Sequence, residues 1–205
     1  MTNQENDKKK KKAWHHWSNL LFYALMGWMV LMFLNADIKG KTLALLMKTG
    51  LFNPSVSWSE EEQGEVFKQV MDFKVQNVQG EKIELRSLRG KVVFINFWAN
   101  WCPPCKAEMP SIQELYETFE NNDDVVFLMI DTDNEPEKSI PYVNDKGYTF
   151  PIAFPGNRIP EKIFKGTLPT TVVLDKRGSI VFEKEGLGQF SSKSFIEFIQ
   201  KLSKQ

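Results

Sequence analysis

The chain has 205 residues, 42% of them apolar and 13% aromatic, which is enough for one compact domain of roughly 100–150 residues plus a tail. Its 26 basic and 26 acidic residues cancel, so there is no broad basic face to attract nucleic acid.

The charges are unevenly placed, beginning with an unbroken basic run from Lys8 to Lys12. From Ala13 to Ala36 the chain then carries no Asp, Glu, Lys or Arg, and its centre, Leu20 to Leu34, is apolar apart from the Tyr23 hydroxyl. A helix crosses a hydrocarbon core of ~30 Å with roughly 20 residues. Trp14 and Trp17 fit the interfacial aromatic belt, and the positive-inside rule keeps the lysines cytoplasmic. Residues 1–12 are therefore expected to be a cytoplasmic tail and residues 13–36 a single transmembrane anchor in the cell (inner) membrane. Everything after Asp37 is then periplasmic or otherwise extracytoplasmic. A cleaved signal peptide competes with this reading, but Leu34 is a poor residue three positions before a cut at Asp37. A buried core helix also competes, although nothing in the segment is amphipathic. His15 and His16, the only histidines, sit beside the lysines and read as interfacial residues, not ligands.

Residues 37–69 read as a juxtamembrane linker. Within it, Leu43, Leu46, Met47 and Leu51 have helical spacing, which suggests a short amphipathic helix packed on the membrane or on the domain. The stretch "NPSVSWSEEEQGE", with Glu60 to Glu62, reads as polar and solvated.

Residues 70–205 form the expected globular domain. "FKVQNVQGEKIEL" alternates around Gln79-Gly80 and predicts a hairpin. "KVVFINFW", Lys91 to Trp98, is a continuous β-branched and aromatic run and predicts a buried central strand. A helix is predicted from Pro103 to about Phe119, with Ile112, Leu115, Tyr116 and Phe119 on one face and Pro110 expected to kink it. "VVFLMID" predicts a second buried strand, and Glu135 to Lys146 a helix. "TTVVLD" and "SIVFEKEG" flank a turn at Lys176-Arg177-Gly178, and a serine-capped helix closes the chain over Ser191 to Ser203. This order implies a mixed α/β sheet with helices on both faces.

The chemistry concentrates in "FWANWCPPCKAEMP", which holds both cysteines, Cys102 and Cys105. A helix starting at Cys102 presents unpaired backbone N–H groups and the positive end of its dipole there, and both favour a thiolate. A thiol at such a site in a Cys-x-x-Cys titrates well below its usual ~8.5. Cys102 is therefore the expected nucleophile, with Cys105 shielded one turn inside, where it can close back on a mixed disulfide. Pro103 and Pro104 are tolerated because the first helical turn leaves its N–H groups unpaired anyway. A zinc clip would need two more ligands, and no further cysteine exists. A copper site has Met109 nearby but no histidine in the domain. A purely structural disulfide closing so short a loop offers little loop-closure entropy. A working redox pair is the expectation, with no metal and no cofactor.

"VVFINFWANWCPPCKAEMP" resembles the active-site strand and helix of the thioredoxin superfamily, and best its membrane-anchored TlpA/ResA-like thiol–disulfide oxidoreductases. The resemblance covers about residues 70 to 203. It implies a thioredoxin-like fold with an N-terminal hairpin. The 64 positions separating Cys105 from Pro169 imply a helix-and-strand insert within residues 132 to 165. "GTLPTTVVLD" resembles the family's cis-proline loop, which makes Leu168-Pro169 a cis peptide beside the cysteines and its backbone a substrate contact. Trp101, Pro103, Pro104, Leu168 and Pro169 are thereby the expected substrate-binding residues, with Trp101 exposed and Trp98 packed. Cytoplasmic thioredoxins carry a buried aspartate where this chain has Asn96, which cannot act as a base. Glu108, one turn beyond Cys105, resembles the acidic residue of the TlpA/ResA-like proteins, and in an apolar setting it would titrate high enough to move a proton. The bland reading of Glu108 is a solvated charge beside Lys106.

The resemblance further implies reduction of disulfides in exported proteins, in the setting of cytochrome c maturation, with a membrane thiol electron donor restoring the dithiol. A dithiol oxidase would run the same chemistry in reverse. A tethered chaperone or copper-delivery module would use the same groove without turnover. A peroxidase of the Thr-x-x-Cys type is disfavoured by Ala99 at the threonine position.

Overall fold

A computed structural model of the chain describes residues 19–20, 22–24, 26–28 and 65–205. The expected cytoplasmic tail, most of the expected anchor and nearly all of the linker lie outside the described residues. The described part of 19–28 is helical and exposes Leu20, Phe22, Tyr23, Met26 and Trp28. Among the described residues no helix is long and apolar enough to cross a membrane.

Helix α1 (Glu65–Met71) crosses the expected boundary at residue 70, and its last two residues, Val70 and Met71, are buried. Lys68 and Gln69, exposed just before them, conceal this core contact in the sequence. There follow β1 (Lys74–Asn77), β2 (Lys82–Glu84), a 3-10 turn (Leu85–Leu88), β3 (Val92–Trp98), α2 (Pro103–Phe119), β4 (Val125–Asp131), α3 (Pro136–Asp145), β5 (Ile152–Pro155), β6 (Thr170–Leu174), β7 (Ile180–Glu185) and α4 (Lys193–Ser203).

The strands form one seven-stranded sheet in the order β2-β1-β5-β4-β3-β6-β7. β3, β4 and β5 are parallel neighbours, while β1 and β6 join this centre antiparallel. The predicted hairpins are β1–β2, turning where Gly80 has φ 85°, and β6–β7. α3 and β5 supply the helix-and-strand insert, and β5 bridges β4 to the N-terminal hairpin.

All seven residues of β3 are buried, so alternate side chains serve opposite faces. Val92, Phe94 and Trp98 join one core with residues of α2, α3 and α4, among them Met109, Ile112, Leu115, Val143, Phe195 and Phe198. Val93, Ile95 and Phe97 join a second core, closed by Val70, Met71, Phe73, Leu85 and Ile163. Helices flank both faces, but unequally: the second face is covered by short α1, the 3-10 turn and the irregular 159–164 segment. Phe164 stacks on Phe97 with ring centroids 4.9 Å apart. α2 runs unbroken through Pro110. Ser192 is the N-cap of α4, yet its side chain makes no capping hydrogen bond.

Candidate active site

β3 ends at Trp98, and the chain turns through Ala99-Asn100-Trp101 into α2, whose N-cap is Cys102. Cys102 and Cys105 are joined as a disulfide. Pro103 and Pro104 occupy the first two helical positions and have no N–H. The first free N–H of the helix is therefore that of Cys105, and it donates to Cys102 Sγ at 3.3 Å. This is the contact that favours a negative sulfur at Cys102. Exposure does not separate the two sulfurs, because Cys102 is 2% exposed and Cys105 1%. What separates them is position: Cys102 caps the helix and receives its N–H, while Cys105 lies within it.

Glu108 is fully buried, so the solvated-charge reading does not hold. Loss of water raises its carboxyl from an ordinary 4.5 to about 8. Hydrogen bonds from the Gly188 N–H and Asn96 and the charge of Lys184 oppose that rise without cancelling it. The Asn96 amide nitrogen donates to Glu108 Oε1 at 2.7 Å and to Thr171 Oγ1 at 3.0 Å, and the Gly188 N–H donates to Glu108 Oε2 at 2.9 Å. A buried carboxyl titrating near neutrality, one helical turn from Cys105, can take or give a proton under ordinary conditions.

Asn96, Thr171 and Gly188 were not among the expected site residues. Asn96 cannot act as a base, but its amide donates to Glu108 and holds it. The signal was present in strand parity: Asn96 shares its face with Phe94 and Trp98, the face on which α2 packs. The register pairs Asn96 with Thr171 on β6, so both side chains point the same way.

Trp101 is 64% exposed beside Cys102, whereas Trp98 is fully buried. The Trp101 indole N–H donates to Asp133 Oδ2 at 2.6 Å. Asp133 is placed by a turn built on Asp131, which accepts from the Asp133 and Glu135 N–H groups and from Ser139. Pro103, Pro104 and Leu168 are half-buried and Pro169 is buried. The Leu168-Pro169 peptide bond is cis. The β3–β6 register, with Phe97 opposite Thr170, sets Pro169 beside the end of β3, where the cysteine turn begins. Its carbonyl accepts the Gly186 N–H at 2.7 Å. Among the described residues no group of three His, Cys, Asp or Glu side chains is placed to hold a metal.

The chain matches the AhpC/TSA family over residues 66–183. It is 33% identical over 147 residues to the thiol-disulfide oxidoreductase ResA of Bacillus thuringiensis (strain Al Hakam), covering 71% of this chain and 83% of that protein. It is 35% identical over 136 residues to the protein of the same name from Halalkalibacterium halodurans, covering 65% and 76%. Among solved structures, a putative protein disulfide isomerase from Bacteroides thetaiotaomicron superposes with a TM-score of 0.58 at 30% identity, covering 65% of this chain and 87% of that one.

Proposed function

We propose, for a chain that belongs to the AhpC/TSA family and is a ResA-like thiol–disulfide oxidoreductase of thioredoxin fold, that it works outside the cytoplasm as a reductase of disulfides in exported proteins. The observation that carries this reading is the pair at the start of α2: Cys102 Sγ receives a helix N–H, and a buried carboxyl able to hold a proton stands one turn past Cys105.

In the reduced protein, Cys102 thiolate attacks one sulfur of the partner's disulfide. That S–S bond breaks, a disulfide forms between Cys102 and the attacked sulfur, and the partner's other sulfur leaves as a thiolate. Glu108 takes the proton of Cys105. The Cys105 thiolate then attacks Cys102 Sγ, forming the 102–105 disulfide and releasing the attacked partner sulfur as a thiolate. Two electrons pass from this dithiol to the partner, and a membrane thiol donor returns them. Trp101, Pro103, Pro104, Leu168 and Pro169 form the contact surface for the partner chain.

The basic run at Lys8 to Lys12, the uncharged stretch 13–36 and the outward-facing apolar side chains between Leu20 and Trp28 support a tethered, extracytoplasmic domain over residues 70–205. The family resemblance supports cytochrome c maturation as the setting. The test uses the full-length chain in its membrane. Cys102→Ser is expected to abolish reduction of a protein disulfide, and Cys105→Ser to accumulate the Cys102–partner disulfide. A potential of about −250 mV or lower marks a reductase, whereas one near about −120 mV marks an oxidase and overturns the direction. An impermeant maleimide should reach the reduced thiols in intact cells; labelling only after lysis overturns the location.

A further inference from the structure

The groups that hydrogen-bond the Glu108 carboxyl are all donors: the Asn96 amide nitrogen at 2.7 Å on Oε1 and the Gly188 N–H at 2.9 Å on Oε2. That set suits a carboxylate. A carboxylic acid carries an O–H of its own and needs an acceptor for it. Gly188 cannot supply one, since a backbone N–H only donates. Asn96 can, because its Oδ1 is buried without a partner and is bonded to the same Cγ as the nitrogen that now faces Glu108, so rotation about Cβ–Cγ exchanges them. Half a turn of the amide exchanges the two. Thr171 can follow, since its Oγ1 now accepts from Asn96 at 3.0 Å and a hydroxyl can instead rotate to donate. One side of the amide is unpartnered in either orientation, Oδ1 before the turn and the nitrogen after it, so the number of unpartnered sides does not change.

We propose that Asn96 is the positioning residue for the buried proton: its amide donates to the Glu108 carboxylate and, turned over, accepts from the Glu108 acid, whose proton sits on Oε1. The inference rests on the reading of Glu108 as the proton acceptor for Cys105. In that step the S–H bond of Cys105 breaks and an O–H bond forms on Glu108 Oε1. No electron moves, and the Asn96 amide and Thr171 hydroxyl rotate in response. An aspartate at this position would bring a second negative charge to the buried carboxyl, and a leucine would leave the acid without an acceptor. The other groups facing Glu108 stay constant through the step. Lys184 on β7 favours the carboxylate by its charge, and Gly188 offers a fixed donor. Asp131 at the end of β4 is turned to Ser139 and the 133–135 backbone.

Infrared difference spectra of the oxidised full-length chain against pH test this, since disulfide-bonded cysteines do not titrate. The acid C=O band of Glu108 is assigned by its loss in Glu108→Gln, and the Asn96 amide by isotope-labelled asparagine. In the wild type the acid band should titrate near about 8, and the amide band should shift with the same midpoint. Asn96→Leu removes both a donor to the carboxylate and an acceptor for the acid; the bond to the charged form is the stronger, so the midpoint should rise, by less than about 1 pH unit. Asn96→Asp should raise it further. Where Asn96→Leu does not fold, Asn96→Asp and the wild-type amide band carry the test. An unchanged midpoint in these variants, or an amide band static through the titration, overturns the role of Asn96. Failure of the underlying reading looks different: the pH profile of Cys105 alkylation in the reduced protein would be the same in Glu108→Gln as in the wild type.

Discussion

The backbone N–H of Gly188 donates to Glu108 Oε2 at 2.9 Å, joining the loop before α4 to the helix that begins at the cysteines, 80 positions away. A Cβ at residue 188 would lie 2.4 Å from Phe190 Cζ and 2.7 Å from its Cε2. The Phe190 ring is fully buried, with Phe94 5.4 Å and Phe195 5.2 Å away between ring centroids, so it has no room to retreat. Gly188→Ala must therefore displace the loop. The expected cost is about 1–3 kcal/mol in urea unfolding, with the Glu108 midpoint moving up as a donor that lowers it is lost. Wild-type stability and midpoint in this variant would show that the contact is not needed.

The pH dependence of folding should carry the mark of Glu108. Its carboxyl titrates at an ordinary 4.5 when unfolded and at about 8 when folded. Between those values the folded chain holds a proton that the unfolded chain has released. Stability is thus full below about 4.5, falls as pH rises to about 8, and is level above. The slope is on the order of 1.4 kcal/mol per pH unit for one proton. Glu108→Gln keeps the volume and removes the proton, so its stability should gain on the wild type across this window and hold constant beyond it. Parallel stability curves for the two oxidised proteins would contradict the raised carboxyl.

Trp101 owes its orientation to Asp133, which accepts its indole N–H at 2.6 Å. Asp133→Ala frees an aromatic side chain that is 64% exposed beside Cys102. An ordering contact of this kind contributes about 1 kcal/mol, equivalent to about fivefold in KM for a protein disulfide. Turnover at saturation should be little changed, because the sulfurs and Glu108 are untouched. A fall in kcat with constant KM would place Asp133 in the chemistry instead.

The strands and helices were largely legible. β3 could be read from "VVFINFW" because an unbroken β-branched and aromatic run leaves a central strand as its simplest burial, and α2 from its apolar period after the two prolines. α1 was not legible: among its residues with described side chains Val70 and Met71 are buried and Lys68 and Gln69 exposed, too short a run to show a period. β5 was expected only as a strand somewhere in an insert. Its four residues, Ile152–Pro155, are short, and its pairing with both β4 and β1 has no local signal.

The sequence by itself determined that Cys102 and Cys105 meet across one helical turn, with two prolines removing competing N–H groups, because these are constraints within a few covalently linked residues. It also determined which face of β3 each residue serves, because the pleat alternates with period two. Only the tertiary structure decided the state of Glu108. The family resemblance favours a proton carrier at Glu108, but the residues beside it, Lys106 among them, do not show whether it is solvated or buried. Its burial follows from the packing of α2 on β3, and its hydrogen bonds come from Asn96, 12 positions earlier, and Gly188, 80 later. The same folding turned Asn96 from a missing base into the partner of one. The desolvation that raises a carboxyl to about 8 depends on every element closed over it, and no local pattern encodes that sum.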